Sequence, residues 1–247
     1  MSIGSGLDWA GLREVGRIVR LTLAALERHA RPGVTTGELD RVAQEIFLQH
    51  GARSAPALVY GFPGTVLISV NDEVVHGVPG SRRLERGDVV KLDVTAEKDG
   101  YMADAARTVV LEGGSDLARR LSACARAAFA QALDAARAGQ RVSVIGRAVE
   151  AEVRRRGFSV IRELAGHGIG RTIHEAPAVP NYHDPRQRDR LTEGLVVTIE
   201  PIICSGAGEA FEDTDGWTVR TKDGSLAAHH EHTVVITRDR PVLLTAA

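Results

Sequence analysis

The chain has 247 residues, 43% of them hydrophobic and 26% charged, with a formal net charge of -1. That is globular composition with length enough for a sizeable core, and the near-neutral balance argues against a general binder of DNA, which is normally basic. Cys124 and Cys204 lack CxxC spacing, so no disulfide framework is expected and a reducing cytoplasm fits best. No stretch approaches the roughly 20 apolar residues that span a membrane, and the opening MSIGSGLDWAGLREVGRIVR sets an acid before any apolar run, unlike a signal peptide.

In chain order, Leu12, Val15, Val19, Leu23 and Leu26 recur in steps of three and four and predict an amphipathic helix over 8–29. A second helix starts near Thr36, with Thr35 or Thr36 as cap, and ends at Gly51. Strands are expected over 58–70, 88–97 and 101–111. Helices follow over 115–137 and 142–156, with Arg154, Arg155 and Arg156 as a solvated face. Strands near 158–163, 194–203, 216–220 and 227–237 close the chain. Two helices followed by strands, twice over, indicate an internal repeat. One interval separates Gly33 from Gly139 and Gly51 from Gly157, and Leu39 and Arg41 match Ile145 and Arg147 in the same register. The expected fold class is α+β: a single domain over 1–247, a pseudo-twofold repeat of helices on a curved, mostly antiparallel sheet.

Asp93, Asp104, His167, Glu200 and Glu231 each fall in a strand or a Gly-rich loop. Four carboxylates and an imidazole aimed at one spot repel each other unless cations sit between them. Hard, oxygen-rich donors suit divalent ions that keep a position open for water, so the pattern reads as a two-metal hydrolase with its ions between the halves. KLDVTAEKDGYMADAART reads as a hairpin turning at Asp99-Gly100, a pair suited to a type I′ turn. Counting outward, Thr95 faces Asp104 and Asp93 faces Ala106, which puts Asp93, Thr95 and Asp104 on one face. His167 lies between Gly166 and Gly168, with Gly170 beyond, as in a loop that approaches a ligand closely. Pro201 ends the ladder just after Glu200, which suits a ligand at a strand terminus. On a strand, Glu231 faces away from His230 and His232; His229 shares its face, with its role open.

The stretches GFPGTVLISVNDEVVHGVPG, GDVVKLDVTAEKDGYMAD, GHGIGRTIHEAP, TIEP and DGWTVRTKDGSLAAHHEHTVVIT, with PGVTTGELD upstream, together resemble type I methionine aminopeptidases, which have the pita-bread fold. The resemblance covers nearly the whole chain. It implies removal of the initiator methionine from nascent polypeptides by water activated at two divalent ions (cobalt, manganese, iron(II) or zinc). Asp93 would chelate one ion, Asp104 and Glu231 would bridge both, and His167 and Glu200 would complete the other. Glu200 would also shuttle the proton, His76 would contact the substrate's N-terminal region, and His174 would steady the scissile carbonyl. Val59, Phe62, Leu67, Ile173 and Trp217 would line the methionine pocket. The family resemblance further implies a monomer with transient ribosome contact. Val59 and Phe62 stand where many relatives carry tyrosine, Pro56 and Leu67 where many carry cysteine, and Ala105 where a hydroxyl residue is usual, so the pocket's shape departs from the common pattern. The short interval from Glu200 to Glu231 leaves no room for the helical insert of type II relatives. A proline-specific peptidase of the same fold is one rival reading, and the lack of chain before Asp93 for its extra domain counts against it; a non-catalytic binding protein that has kept the fold is the other, and the presence of all five ligands counts against that.

Overall fold

The computed structural model describes residues 1–246. Helix α1 (Gly6–His29) starts at Ser5, whose hydroxyl accepts from the Asp8 amide, and buries Leu12, Val15, Ile18, Val19, Leu23 and Leu26. Helix α2 (Thr36–His50) carries a capping box between Thr35 and Glu38 and stops at Gly51, which has φ 60; such a cap stabilises a helix by about 1 kcal/mol.

Next comes a departure from the expected strand over 58–70. A two-residue strand β1 (Arg53–Ser54) leads straight into a short helix α3 (Ala55–Tyr60), and only β2 (Leu67–Val70) is extended. Ser54 caps α3, Pro56 sits in its first turn and Gly61 ends it with φ 74. A short apolar run has no period of its own to choose between helix and strand; the cap and the proline decide it here. The remaining elements are β3 (Glu73–Val75), β4 (Val89–Lys98), β5 (Tyr101–Val110), α4 (Asp116–Ala135), α5 (Ser143–Arg155), β6 (Ser159–Val160), β7 (Ala165–Gly168), β8 (Glu175–Pro180), β9 (Val196–Ile199), β10 (Ile202–Cys204), β11 (Ala210–Glu212), β12 (Val219–Thr221), β13 (Ala227–His229), β14 (His232–Val235) and β15 (Val242–Leu243).

All strand pairings are antiparallel among the described residues. One sheet runs β1-β4-β2 with β5 on the far side of β4, and another runs β15-β14-β9-β7-β8; two three-stranded sheets, β13-β10-β6 and β11-β12-β3, complete the set. The expected strands over 194–203 and 227–237 are each split, because the chain crosses from one sheet to another at Glu200-Pro201 and again at His230-Glu231. One core cluster joins α1 and α2 to the first-half sheet, and a second joins α4 and α5 to the second-half sheet.

The repeat is visible in backbone hydrogen bonds. Gly33, with φ 95, donates to Leu84 O at 2.8 Å, and Gly139, with φ 91, donates to Leu191 O at 2.7 Å. Leu84 N returns to Val34 O at 2.8 Å and Leu191 N to Gln140 O at 2.9 Å. Each half thus ties its second helix to the chain entering its central strand, β4 in one case and β9 in the other.

Candidate metal centre

The hairpin β4-β5 turns at Asp99 (φ 50) and Gly100 (φ 79), both in the left-handed region a type I′ turn requires. Its register pairs Lys98 with Tyr101, Thr95 with Asp104 and Asp93 with Ala106. Strand alternation then sets Asp93, Thr95 and Asp104 on one face. Leu67 on β2 lies opposite Asp93 from the other side.

The second half is zipped onto this hairpin along β5. Glu231 N donates to Ala106 O at 2.9 Å, and Ala106 N to Glu231 O at 3.3 Å. One step up, the Thr108 hydroxyl donates to His229 O at 2.8 Å and accepts from His229 N at 2.9 Å. One step down, Thr233 does the same for the Asp104 backbone, accepting from its N and donating to its O, each at 2.8 Å. These bonds bring Glu231 beside Asp104 although the two are far apart in sequence.

Glu200 is positioned by the sheet crossing. The Thr198 hydroxyl donates to Glu200 Oε1 at 2.6 Å and accepts from His167 N at 3.0 Å, and Asn181 Nδ2 donates to Glu200 O at 2.8 Å. His167 Nδ1 lies 2.9 Å from Gly168 O, a bond that needs the proton on Nδ1 and leaves a lone pair on Nε2. That Nε2 is 3.5 Å from Glu200 Oε1. The glycines around His167 serve a different purpose from the loop expected above. His167 is on strand β7, and a Cβ at Gly166 would sit 2.7 Å from Thr198 O, and one at Gly168 2.3 Å from Ala176 O. They let β7 lie tightly between β9 and β8.

These groups are buried together, and their acid strengths follow. Burial, with Asp104 and Glu200 nearby, raises Asp93 well above the ordinary carboxylate range. Burial pushes Asp104 up to about 6, with Thr95 and Asp93 favouring its ionised form. Burial, opposed by the Thr198 hydroxyl and aided by the Asp104 charge, lifts Glu200 to about 8. Glu231 is raised by burial and then by Asp104, Glu200 and Asp93. Burial and His174 hold His167 down at about 4, so its ring is neutral. Asp93 Oδ1, Asp104 Oδ1 and Glu231 Oε1 have no hydrogen-bond partner. Buried polar atoms are normally satisfied, and like carboxylates cannot all ionise side by side. Divalent cations meet both demands. Two donor groups can hold them, Asp93 with His229 and Glu231, and Asp104 with His167 and Glu231, each with donor atoms within 4.8 Å of one another. The residues present therefore fit a pair of ions sharing Glu231.

The cluster lies at the foot of a cavity of about 390 Å³. Phe62, Leu67, Ile173 and Trp217 line it, with Phe62 and Trp217 edge to face at 5.2 Å. Val59 does not. It is 43% exposed and stands outside the cavity, because α3 turns Pro56 and Tyr60, four residues apart, inward instead. His76 and His174 both line the cavity and are solvent-accessible within it. His76 follows β3 with φ 60, an unusual backbone for a side chain of its size. The His174 ring sits 4.2 Å from that of His167, and its Nδ1 is 2.5 Å from the Tyr60 hydroxyl.

The model of metallopeptidase family M24 matches residues 10–238. The chain belongs to that family. Among its relatives, methionine aminopeptidase 2 of Bacillus subtilis (strain 168) is 44% identical, with 99% of each chain covered. The crystal structure of methionine aminopeptidase from Thermotoga maritima matches with a TM-score of 0.96 at 32% identity, over 100% of both chains. Prolidase from Pyrococcus furiosus has the same fold with a TM-score of 0.80 at 22% identity, where this chain covers 65% of the longer protein. The architecture is the pita-bread fold expected above.

In this M24 chain, two lining residues were missed or left open by sequence reasoning. Tyr60 lay inside a stretch taken as strand, and only a helix at 55–60 turns it toward His174. His229 shared a face with Glu231 in the strand pattern, a signal that was visible without its partners being so. His230 and His232 turn away as that alternation requires, each ring 5.2 Å from Phe129.

Proposed function

We propose that the chain removes N-terminal methionine from peptides by metal-dependent hydrolysis. The observation that carries this reading is the pair of donor groups sharing Glu231, with buried oxygens of Asp93, Asp104 and Glu231 unpartnered, beneath a cavity walled by Phe62, Leu67, Ile173 and Trp217. Asp93, Asp104, His167, Glu200 and Glu231 hold two divalent ions, which when bound polarise a carbonyl and acidify water. Glu200 takes the proton from the attacking water and delivers it to the leaving amine, its carboxylate held in place by the Thr198 hydroxyl. His174, fixed through Nδ1 by Tyr60, offers its other nitrogen to the scissile carbonyl and the charge that grows on it. His76 contacts the first residues of the substrate, and the apolar walls select its leading side chain.

The substrates are nascent polypeptides, processed in the cytoplasm by a single-domain monomer in transient contact with the ribosome. Cobalt, manganese, iron(II) or zinc are the ions compatible with the donor set. Because an apolar pocket separates similar side chains by only about 1–3 kcal/mol, the apolar lining of Pro56, Phe62 and Leu67 also admits leucine, less well than methionine. The test is release of the N-terminal residue from Met-Ala-Ser, Leu-Ala-Ser and Met-Lys-Ser by metal-stripped protein reloaded with each ion. Met-Ala-Ser is cleaved fastest, Leu-Ala-Ser measurably and Met-Lys-Ser least. No methionine released with any of the four ions sinks the reading.

A further inference from the structure

We infer that His229 is a sixth donor of the metal centre, giving an imidazole to the ion held by Asp93 and Glu231. The inference rests on the reading that two divalent ions occupy the cluster. It starts from an unmet need. His229 is 2% exposed, and neither of its ring nitrogens has a hydrogen-bond partner. His167 is bonded through Nδ1 to Gly168 O, His174 to Tyr60 and His232 to Thr245, and His76 is open to solvent. Burying a polar ring with both nitrogens unmatched is costly, and a ring so placed calls for a ligand.

The distances say which ligand. His229 Nε2 lies 3.5 Å from Glu231 Oε2 and 3.8 Å from Glu200 Oε2. These are long for hydrogen bonds. Two donors each about 2.0–2.2 Å from one ion stand ~3–4 Å apart, and the observed gaps are of that size. The backbone holds the ring there firmly. His229 pairs with Ile202 at the end of β13 and is clamped on both backbone atoms by the Thr108 hydroxyl. Burial, with His76 and Lys91 nearby, keeps the ring neutral, with a lone pair to give.

The two donor groups would then be alike in kind, Asp93 with His229 and Asp104 with His167, each beside Glu231. An imidazole on each ion shifts preference toward cobalt(II), iron(II) and zinc and away from manganese and magnesium.

Metal-stripped wild type and the His229→Gln and His229→Ala variants are titrated calorimetrically with cobalt(II) and with manganese(II). The cobalt(II) forms are then examined by paramagnetic proton NMR. Wild type binds two cobalt ions and shows two metal-shifted, exchangeable imidazole N–H signals, one each from His167 and His229. Both variants lose one signal and at least about tenfold in affinity for one cobalt ion, with a smaller loss for manganese. A single shifted imidazole signal in two-ion wild type, or unchanged cobalt affinity in folded variants, overturns the role of His229 and leaves the two-ion reading standing. Wild type that binds fewer than two cobalt ions overturns both. If neither variant folds, the wild-type spectrum decides.

Discussion

In the first half, Asp93 and Asp104 sit within ten-residue strands of one unbroken hairpin, aligned by consecutive pairing from Val89 to Lys98. In the second half, Glu200 and Glu231 sit where strands have stopped and the chain is passing between sheets, and His167 lies beside a register shift in β7. A continuous ladder sets side-chain direction through its backbone alone. A broken one cannot, so the second half relies on individual groups: the Thr198 hydroxyl on Glu200 and His167, Asn181 on the Glu200 carbonyl, and Thr108 and Thr233 along the seam. The comparison assigns precision to the backbone on one side of the centre and to side chains on the other.

The largest effect tests the second half's role in chemistry rather than in holding ions. Glu200→Gln keeps the shape and removes the proton carrier, so kcat falls by ~10²–10⁴-fold while metal titration still detects bound ions, more weakly. Full turnover in that variant refutes the role.

A smaller effect sets the two halves directly against each other. Thr198→Val strips the hydroxyl from Glu200 and the His167 amide and lowers metal affinity by ~10–100-fold. Thr95→Val makes the matching change in the hairpin, where the ladder still aims Asp104, and costs less than ~10-fold. Calorimetric titration of both variants gives the order, and equal losses would break the contrast.

The smallest effect is a slope. Glu200 moves from an ordinary 4.5 to about 8 in the folded, metal-free protein. The folded chain therefore holds a proton that the unfolded chain has released. The extra stability is fully present below pH 4.5 and lost as pH rises toward 8, by at most about 1.4 kcal/mol per unit. His167, held at about 4, contributes in the opposite sense, gaining stability as pH rises to 6.5, and Lys91, lowered by burial to about 7, does so above 7. Thermal melts in chelator are therefore compared between wild type and Glu200→Gln, whose difference reads Glu200 together with its coupling to Asp93 and Glu231 while His167 and Lys91 cancel. The advantage of wild type over the variant shrinks from pH 5 to 8. A difference independent of pH removes Glu200 as its source.

The same contrast explains what could be read without coordinates. The four long helices were legible because apolar residues recur at helical spacing and because Thr35 or Thr36 and Gly51 bound the second. The hairpin was legible because Asp99-Gly100 specifies its turn, and one turn sets every pair beyond it. Short elements without a period were not. The stretch of α3 reads as strand in the sequence, the expected strand over 158–163 is only Ser159–Val160, and β1, β3, β7, β8, β11 and β15 carry no sequence signal. Val59, which the family resemblance sets in the pocket, lies outside it because α3 turns Pro56 and Tyr60 inward instead.

Local chemistry thus carried the donor types, the order of the long elements and the facing of Asp93, Thr95 and Asp104, since periodicity and turns act between near neighbours. The meeting of Glu231 with Asp104, the packing of Gly166 and Gly168 against neighbouring strands, the turn of Tyr60 toward His174 and the unpartnered ring of His229 all came from long-range pairing. Contacts of that kind join residues with no sequence relation, and only a folded chain brings them within bonding distance.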